Sequence, residues 1–322
     1  MAIKRDFIQL MPLYDVALQE SGGDPSGWTI PHWTLEKDID FMDAEGITFA
    51  FLSMTAPGAS ILPVPKQGTF CRQANEYAAQ MRATHPTRYG FFATIPSLED
   101  PSLAHRELIY ALDVLGADGI ILYTRYGSDN HYLGHPDFRS TWDLLDARGA
   151  VVFVHPTTPV DTTLVNAALP QPMIDYPHET TRTAVDLIVS RTLSAHPNVK
   201  VLLSHAGGTL PYLALRPAVM LPHMANASTK STEEFMEEAR SFYFDTALSG
   251  SHSTLGLLKN FAKPDHVLFG SDFPYAPAPA IKQMNTLVDE YNKIDSTFVR
   301  SINHGAAVKL IPRLAAVVGK RS

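Results

Sequence analysis

Along this chain, short apolar runs of strand character alternate with longer stretches in which apolar residues recur every three or four positions. The runs predict strands over 46–53, 89–96, 117–124, 149–156, 199–206, 242–249 and 266–274, preceded by a less regular first strand over 3–10. Between them the spacing predicts helices over 35–44, 72–84, 103–115, 138–148, 180–195, 210–220, 255–261 and 280–291. In 103–115, for example, Leu108, Leu112 and Leu115 fall on one helical face. Strand–helix alternation repeated eight times means a parallel sheet, and eight such units close into a (β/α)8 TIM barrel of the α/β class, here a distorted one. A length of 322 residues suits one domain, 1–322, with the tail 298–318 packing as extra helices outside the ring.

Two insertions interrupt the alternation. The segment 12–33, with Gly22-Gly23-Asp24-Pro25-Ser26-Gly27, follows the first strand, and 157–177, punctuated by Pro159, Pro170, Pro172 and Pro177, follows the fifth. Both leave the end of the barrel where catalytic groups sit, so lids or subunit contacts are expected there.

Composition narrows the function classes. An apolar fraction of 45% supplies a core, and a net charge of −7 without any basic run excludes a nucleic-acid footprint. The single cysteine, Cys71, forbids an intramolecular disulfide and fits a reducing compartment. The opening residues lack a signal-peptide core and no apolar run reaches membrane-spanning length, so a soluble cytoplasmic protein is expected. No Gly-x-Gly-x-x-Gly, phosphate loop, Gly-x-Ser-x-Gly elbow or Cys-x-x-Cys is present.

Three predicted strands end in a side chain able to do acid–base or ligand chemistry: His155 after Val151-Val152-Phe153-Val154, His205 after Val201-Leu202-Leu203-Ser204, and Asp272 after Leu268-Phe269-Gly270-Ser271. A barrel presents its catalytic groups at the C-terminal ends of its strands. His155 reads either as a ligand or base at the mouth, or as a core histidine bonded to a carbonyl. Gly207-Gly208 beside His205 permit a positive-φ turn and close approach, and the helix from Leu210 is expected to aim its N-terminus at the pocket. A carboxylate at a buried strand end must meet a cation, a metal or several donors, or carry a raised pKa, which makes Asp272 the strongest candidate. Asp245 reads equally as catalytic or as a residue orienting a neighbour. Arg182 is a candidate clamp for a substrate carboxylate, and Tyr123, Arg125, Tyr126, Met54 and Trp28 are candidates for the pocket wall. The histidines at 131, 135, 178, 196, 223, 252 and 304 receive no role.

Taken together, Gly22-Gly23-Asp24-Pro25-Ser26-Gly27-Trp28, Phe41-Met42-Asp43, Leu115-Gly116-Ala117-Asp118-Gly119, Tyr132-Leu133-Gly134, Arg182-Thr183-Ala184-Val185-Asp186-Leu187 and the three strand-end strings resemble the amidohydrolase-related (amidohydrolase 2) family over nearly the whole length. That family includes aminocarboxymuconate-semialdehyde decarboxylase and fungal decarboxylases of salicylate and 6-methylsalicylate. The resemblance implies a distorted barrel, frequent dimers and non-oxidative decarboxylation of a small acid, in which a ring carbon is protonated and carbon dioxide leaves. It also implies a divalent metal, zinc or manganese, held by a first-strand His-x-His pair together with a fifth-strand histidine and an eighth-strand aspartate, here His155 and Asp272. His205 then positions or protonates the substrate.

The first strand departs from that pattern. No histidine precedes His32, and alignment back from Leu13-Tyr14 sets the expected pair over Asp6 and Ile8, or over Lys4 and Asp6. The leading reading is a decarboxylating lyase acting on a small aromatic or polyketide-like carboxylic acid, of the kind found in secondary metabolism. In it Asp272 is proton donor or relay, His205 partners an oxyanion or carboxylate, and His155 is orienting base or residual ligand. The alternatives are a metal-free relative that isomerises, dehydrates or cyclises a biosynthetic intermediate, and a non-catalytic binding subunit.

Overall fold

The computed structural model describes residues 2–3, 18–20, 22–224 and 230–318. The branched and aromatic runs form strands β1 (Ala2–Ile3), β2 (Ala50–Leu52), β3 (Tyr89–Ala93), β4 (Gly119–Tyr123), β5 (Arg125–Tyr126), β6 (His131–Tyr132), β7 (Val151–His155), β8 (Lys200–Leu203), β9 (Tyr243–Asp245) and β10 (Val267–Gly270). Eight of them run parallel and close a barrel in the order β1-β2-β3-β4-β7-β8-β9-β10, with β10 returning to β1. The antiparallel pair β5 and β6 forms a separate ribbon after β4. Within the predicted first strand, only Ile3 belongs to β1, and 4–10 lie outside the described residues.

The barrel interior is filled by aromatic rings. Phe51 stacks on Phe92 at 5.0 Å, and Phe92 leans on Phe153 at 5.8 Å. Gly90 leaves room between this layer and the Arg313–Asp118 pair, since a Cβ there would stand 2.5 Å from Arg313 Nη2 and Asp118 Oδ2 and 2.7 Å from Phe51 Cδ1. Side chains alternate along a strand, so His155 shares the inward face of Phe153 one layer nearer the mouth. At the opposite end Arg313 grips Asp118 with both guanidinium arms, tying the C-terminal tail across the base of β4.

Each described barrel strand from β2 onward is shorter than its predicted run. The predicted runs continue past the ladders into loops, and at His205, Ala206, Leu248 and Asp272 those loops turn to positive φ, which no strand can contain. Among the helices, Leu35–Ala44 matches prediction at both ends because Thr34 caps it, accepting from Lys37 N at 3.2 Å. The predicted helix 103–115 becomes Pro101–Ile109 and then one π turn, Tyr110–Val114. The predicted helix 180–195 begins nine residues earlier, as Gln171–Val189, and breaks at Arg191, whose φ is 65°. The second insertion is therefore shorter than 157–177: Pro172 occupies the first turn, where its missing N–H costs nothing, and Pro177 is accommodated inside the helix. Among the described residues no helix is long and apolar enough to cross a membrane.

Candidate active site

The C-terminal strand ends surround a cavity of about 510 Å³. His155, His205 and Asp272 all line it. His155, at the last position of β7, is buried, with its Nε2 3.4 Å from Thr55 Oγ1. Its ring meets the Tyr176 ring edge-on at 6.2 Å, and the His205 ring at 6.2 Å.

The turn carrying His205 is strained by design of the sequence. Residues 205 to 208 all have positive φ (52°, 57°, 71° and 63°), and His205 and Ala206 are not glycines. Each left-handed non-glycine costs about 1–2 kcal/mol, so the surroundings must hold them. Asp245, buried at the end of β9, does so: its Oδ1 accepts from His205 N at 2.7 Å and from Ala247 N at 3.0 Å. Gly270 leaves the space, for a Cβ there would lie 3.1 Å from Asp245 Cγ. Gly208 has no alternative, because a Cβ would fall 1.9 Å from Pro177 O. His205 Nδ1 lies 3.2 Å from the Ala247 carbonyl. A carbonyl only accepts, so Nδ1 carries a proton and donates it there.

Asp272 is 8% exposed and also left-handed, with φ 62°. Its carbonyl accepts from Ala276 N at 2.9 Å, which turns the chain back over the mouth. The next residue, Phe273, stacks on Phe41 at 3.9 Å. Strained backbone thus accompanies two of the three strand-end groups.

The first insertion forms part of the wall. Trp28 Nε1 donates to Tyr275 O at 3.1 Å, pinning the segment to the loop after β10, and Asp24 and Ser26 join Trp28 in the lining. Burial raises the Asp24 carboxyl above the usual range even though Ser26 hydrogen-bonds it. Burial, and next the Asp24 charge, push the Tyr176 hydroxyl well up. Met173, Leu248, Ala280 and Met284 give the cavity an apolar side. Among the described residues no lysine or arginine lines it.

Of the wall candidates named from the sequence, Trp28 reaches the cavity. Tyr123, Met54 and Arg182 are not among its lining residues. The Tyr123 hydroxyl donates to the carbonyls of Met54 and Thr55, at 3.2 and 3.1 Å, and its ring fills the space beside Gly58. Met54 is buried in the core. Arg182 sits on the outer part of its helix, 3.5 Å from Glu179 and over the Tyr132 ring at 5.0 Å. Arg125 Nε donates to Thr158 O at 2.8 Å, and the Tyr126 hydroxyl accepts from Tyr123 N at 3.2 Å. The expected helix N-terminus after His205 is only the short turn Leu210–Leu213, and Thr209 N donates to Thr181 Oγ1 at 2.8 Å. Asp24 and Tyr176 are wall residues that sequence reasoning assigned no role. The Gly-Gly-Asp-Pro-Ser-Gly turn was the available signal for the first, and nothing local marked the second.

His155 and Asp272 offer a metal one nitrogen and one carboxylate, whereas a catalytic zinc takes three protein ligands. Among the described residues, the group of three ligating side chains within reach of one another is His131, His135 and Asp137, on the ribbon and the turn after it. That group is not part of the cavity lining. Residues 4–17, outside the described set, contain no histidine or cysteine but do contain Asp6 and Asp15. The described residues therefore do not complete a metal site at the mouth. A roomier groove of about 800 Å³ runs between Tyr132, Arg139, Asp186 and His196, but it holds none of the strand-end groups.

Known proteins share this fold. A family model described as amidohydrolase matches residues 9–313. The chain is 52% identical over 310 residues to a 6-methylsalicylic acid decarboxylase of Penicillium expansum, covering 96% of this chain and 95% of that protein. Among solved structures, the 5-carboxyvanillate decarboxylase of Sphingomonas paucimobilis superposes with a TM-score of 0.83 at 22% identity, covering 97% and 99% of the two chains. A dihydroxybenzoic acid decarboxylase of a Polaromonas species, solved with bound manganese and the inhibitor 2-nitroresorcinol, has a TM-score of 0.78 at 23% identity, covering 97% and 95%.

Proposed function

The chain belongs to the amidohydrolase family, and from that premise we propose that its barrel-mouth cavity is the active site of a carbon–carbon lyase that decarboxylates 6-methylsalicylic acid or a close relative without oxidation. The observation that carries the reading is the convergence of His155, His205 and Asp272 on one cavity in a chain so similar to a 6-methylsalicylic acid decarboxylase. The volume suits a single substituted ring, and Met173, Leu248 and Met284 suit its apolar face and methyl group.

In an ortho-hydroxy aromatic acid, the phenol oxygen feeds electron density to the ring carbon that bears the carboxylate. A proton adds to that carbon, the bond to the carboxylate breaks, its electron pair restores the aromatic ring, and carbon dioxide leaves. Asp272 is the proposed donor or relay of the proton. His205, with Nδ1 held by Ala247 O, presents Nε2 to the carboxylate or phenol oxygen. His155 orients the ring from the floor of the cavity.

Zinc or manganese, which the resemblance implied, would polarise the substrate oxygens if bound at His155 and Asp272. It would need a further donor from outside the described residues, so the acid–base work is assigned to side chains. A homodimer is part of the same proposal: Tyr212, Leu215, Val219, Met220 and Met224 expose an apolar row along and just beyond 210–220, suited to a second copy. So is a cytoplasmic location, which the single, buried, free Cys71 supports.

The test is carbon dioxide release from 6-methylsalicylic acid by the purified protein, with 3-methylphenol as the other product. Asp272→Asn should lower kcat by about 100-fold or more, the scale of general acid catalysis, with an unchanged circular dichroism spectrum. Turnover without carbon dioxide would instead favour the metal-free isomerase or cyclase reading.

A further inference from the structure

The cavity wall contains a carboxyl group for which the proposed chemistry has no use. We infer that Asp24, supported by Ser26 and Tyr176, is the specificity residue that reads the ring hydroxyl of the substrate, an inference that rests on the phenolic-acid reading above.

Asp24 is presented by a fixed turn. Gly22, Gly23 and Gly27 take positive φ on either side of it, and Gly27 N donates to Asp24 O at 2.9 Å. Ser26 N donates to Asp24 Oδ1 at 2.8 Å, and Trp28 anchors the segment to Tyr275 O. A carboxyl group has about four lone-pair positions, so the bonds to Ser26 leave capacity for a ligand. The group lines the cavity rather than facing solvent.

Its neighbours select the ligand group it can meet. Among the described residues no lysine or arginine lines the cavity beside Asp24, and a substrate carboxylate would meet it as a like charge. A phenolic hydroxyl meets it in either state, donating to the carboxylate or accepting from the carboxyl. Tyr176 adjoins this wall: its ring stands edge-on to His155 at 6.2 Å, and after burial the Asp24 charge helps to raise its hydroxyl. Asp24 and the strand-end groups thus line one cavity, in which an ortho-hydroxy acid has two polar groups to place. The apolar residues Met173, Leu248 and Met284 remain for the ring edge without oxygen.

The experiment compares two ligands that carry no carboxylate: 3-methylphenol, the expected product, and 3-methylanisole, its methyl ether. Dissociation constants are measured by titration calorimetry for the wild type, Asp24→Asn and Asp24→Leu, each checked for a native circular dichroism spectrum. Loss of one buried hydrogen bond to a carboxyl group should weaken 3-methylphenol about tenfold in Asp24→Leu. The ether should bind all three proteins alike, and Asp24→Asn should keep most of the phenol affinity. Equal weakening of both ligands in Asp24→Leu, or of neither, overturns the inference. A wild type that discriminates phenol from ether through Asp24 but releases no carbon dioxide from 6-methylsalicylic acid would refute the decarboxylase reading and leave this one standing. A wild type that decarboxylates while Asp24→Leu discriminates normally does the reverse.

Discussion

Replacing Asp245 tests whether the His205 turn is held or merely happens to fold as it does. The carboxylate is 1% exposed and takes two backbone N–H groups, from His205 at 2.7 Å and Ala247 at 3.0 Å. Hydrogen bonds to a charged partner are worth roughly 1.5–3 kcal/mol each, so Asp245→Ala forfeits about 3–6 kcal/mol before relaxation. Water entering the space left by the carboxylate recovers part of that loss, which sets the expectation at about 3 kcal/mol. Asp245→Asn keeps one oxygen acceptor without the charge and should lose about 1 kcal/mol.

The same variants should lower activity for a positional reason. His205 and Ala206 occupy left-handed conformations that cost about 1–2 kcal/mol each, and without Asp245 the turn relaxes toward ordinary φ and carries Nε2 away from the cavity. Equilibrium unfolding in urea, followed by far-ultraviolet circular dichroism, gives the stability. Steady-state carbon dioxide release gives kcat, which should fall at least about tenfold in Asp245→Ala and less in Asp245→Asn. An Asp245→Ala protein within about 0.5 kcal/mol of the wild type would refute the argument. So would one that loses stability yet keeps full kcat.

Gly208→Ala should destabilise the protein by at least about 2 kcal/mol, because a Cβ at φ 63° adds left-handed strain to a collision with Pro177 O; soluble yield and the urea midpoint check it. Burial raises the Asp24 carboxyl, so the folded state holds that proton more tightly than the unfolded chain and loses stability as pH climbs from the unfolded value through the raised one. Asp24→Asn should accordingly gain in melting temperature relative to the wild type at pH 8 compared with pH 4, and a difference that does not vary with pH counts against it. Protein purified without chelators should carry well under one zinc or manganese per chain by elemental mass spectrometry, since His155 and Asp272 are two ligands where a site takes three. Near-stoichiometric metal would mean that a donor outside the described residues completes the site.

The barrel was legible because its information is periodic. Runs such as Val151–His155 and Gly119–Tyr123 recur at helix-length intervals, and an eightfold repeat has one parallel closure. His155, His205 and Asp272 were legible for a related reason: each is the first ionisable residue after such a run, and the fold places run ends together. The walls were not legible, because they depend on distances between segments far apart in sequence. Arg182 has the right charge for a carboxylate clamp, yet the face of its helix puts it against Glu179 and Tyr132. Tyr123 follows its strand as promisingly as His155 does, but its hydroxyl is spent on the carbonyls of Met54 and Thr55. Tyr176 went unassigned because prolines at 172 and 177 read as loop, while the first turn of a helix tolerates proline and so delivers the ring to the mouth.

Among the described residues the lining carries no lysine or arginine, which bears on the proposed chemistry. In decarboxylation the substrate begins with a full negative charge on the carboxylate and ends by releasing a neutral molecule, and the electron pair of the breaking bond neutralises the positive charge that protonation places on the ring. An arginine clamp would stabilise the starting carboxylate more than the transition state, and binding of that kind does not raise kcat. The described wall instead brings the carboxyl groups of Asp24 and Asp272 to the cavity beside His205. Under the proposed mechanism such groups favour the protonated ring, whose positive charge the phenol oxygen shares, over the starting carboxylate. On the described wall, the contacts available to the acid are for its ring, its hydroxyl and its methyl group. The apolar residues Met173, Leu248 and Met284 and the carboxyl of Asp24 are the groups there that the proposed reading assigns to them.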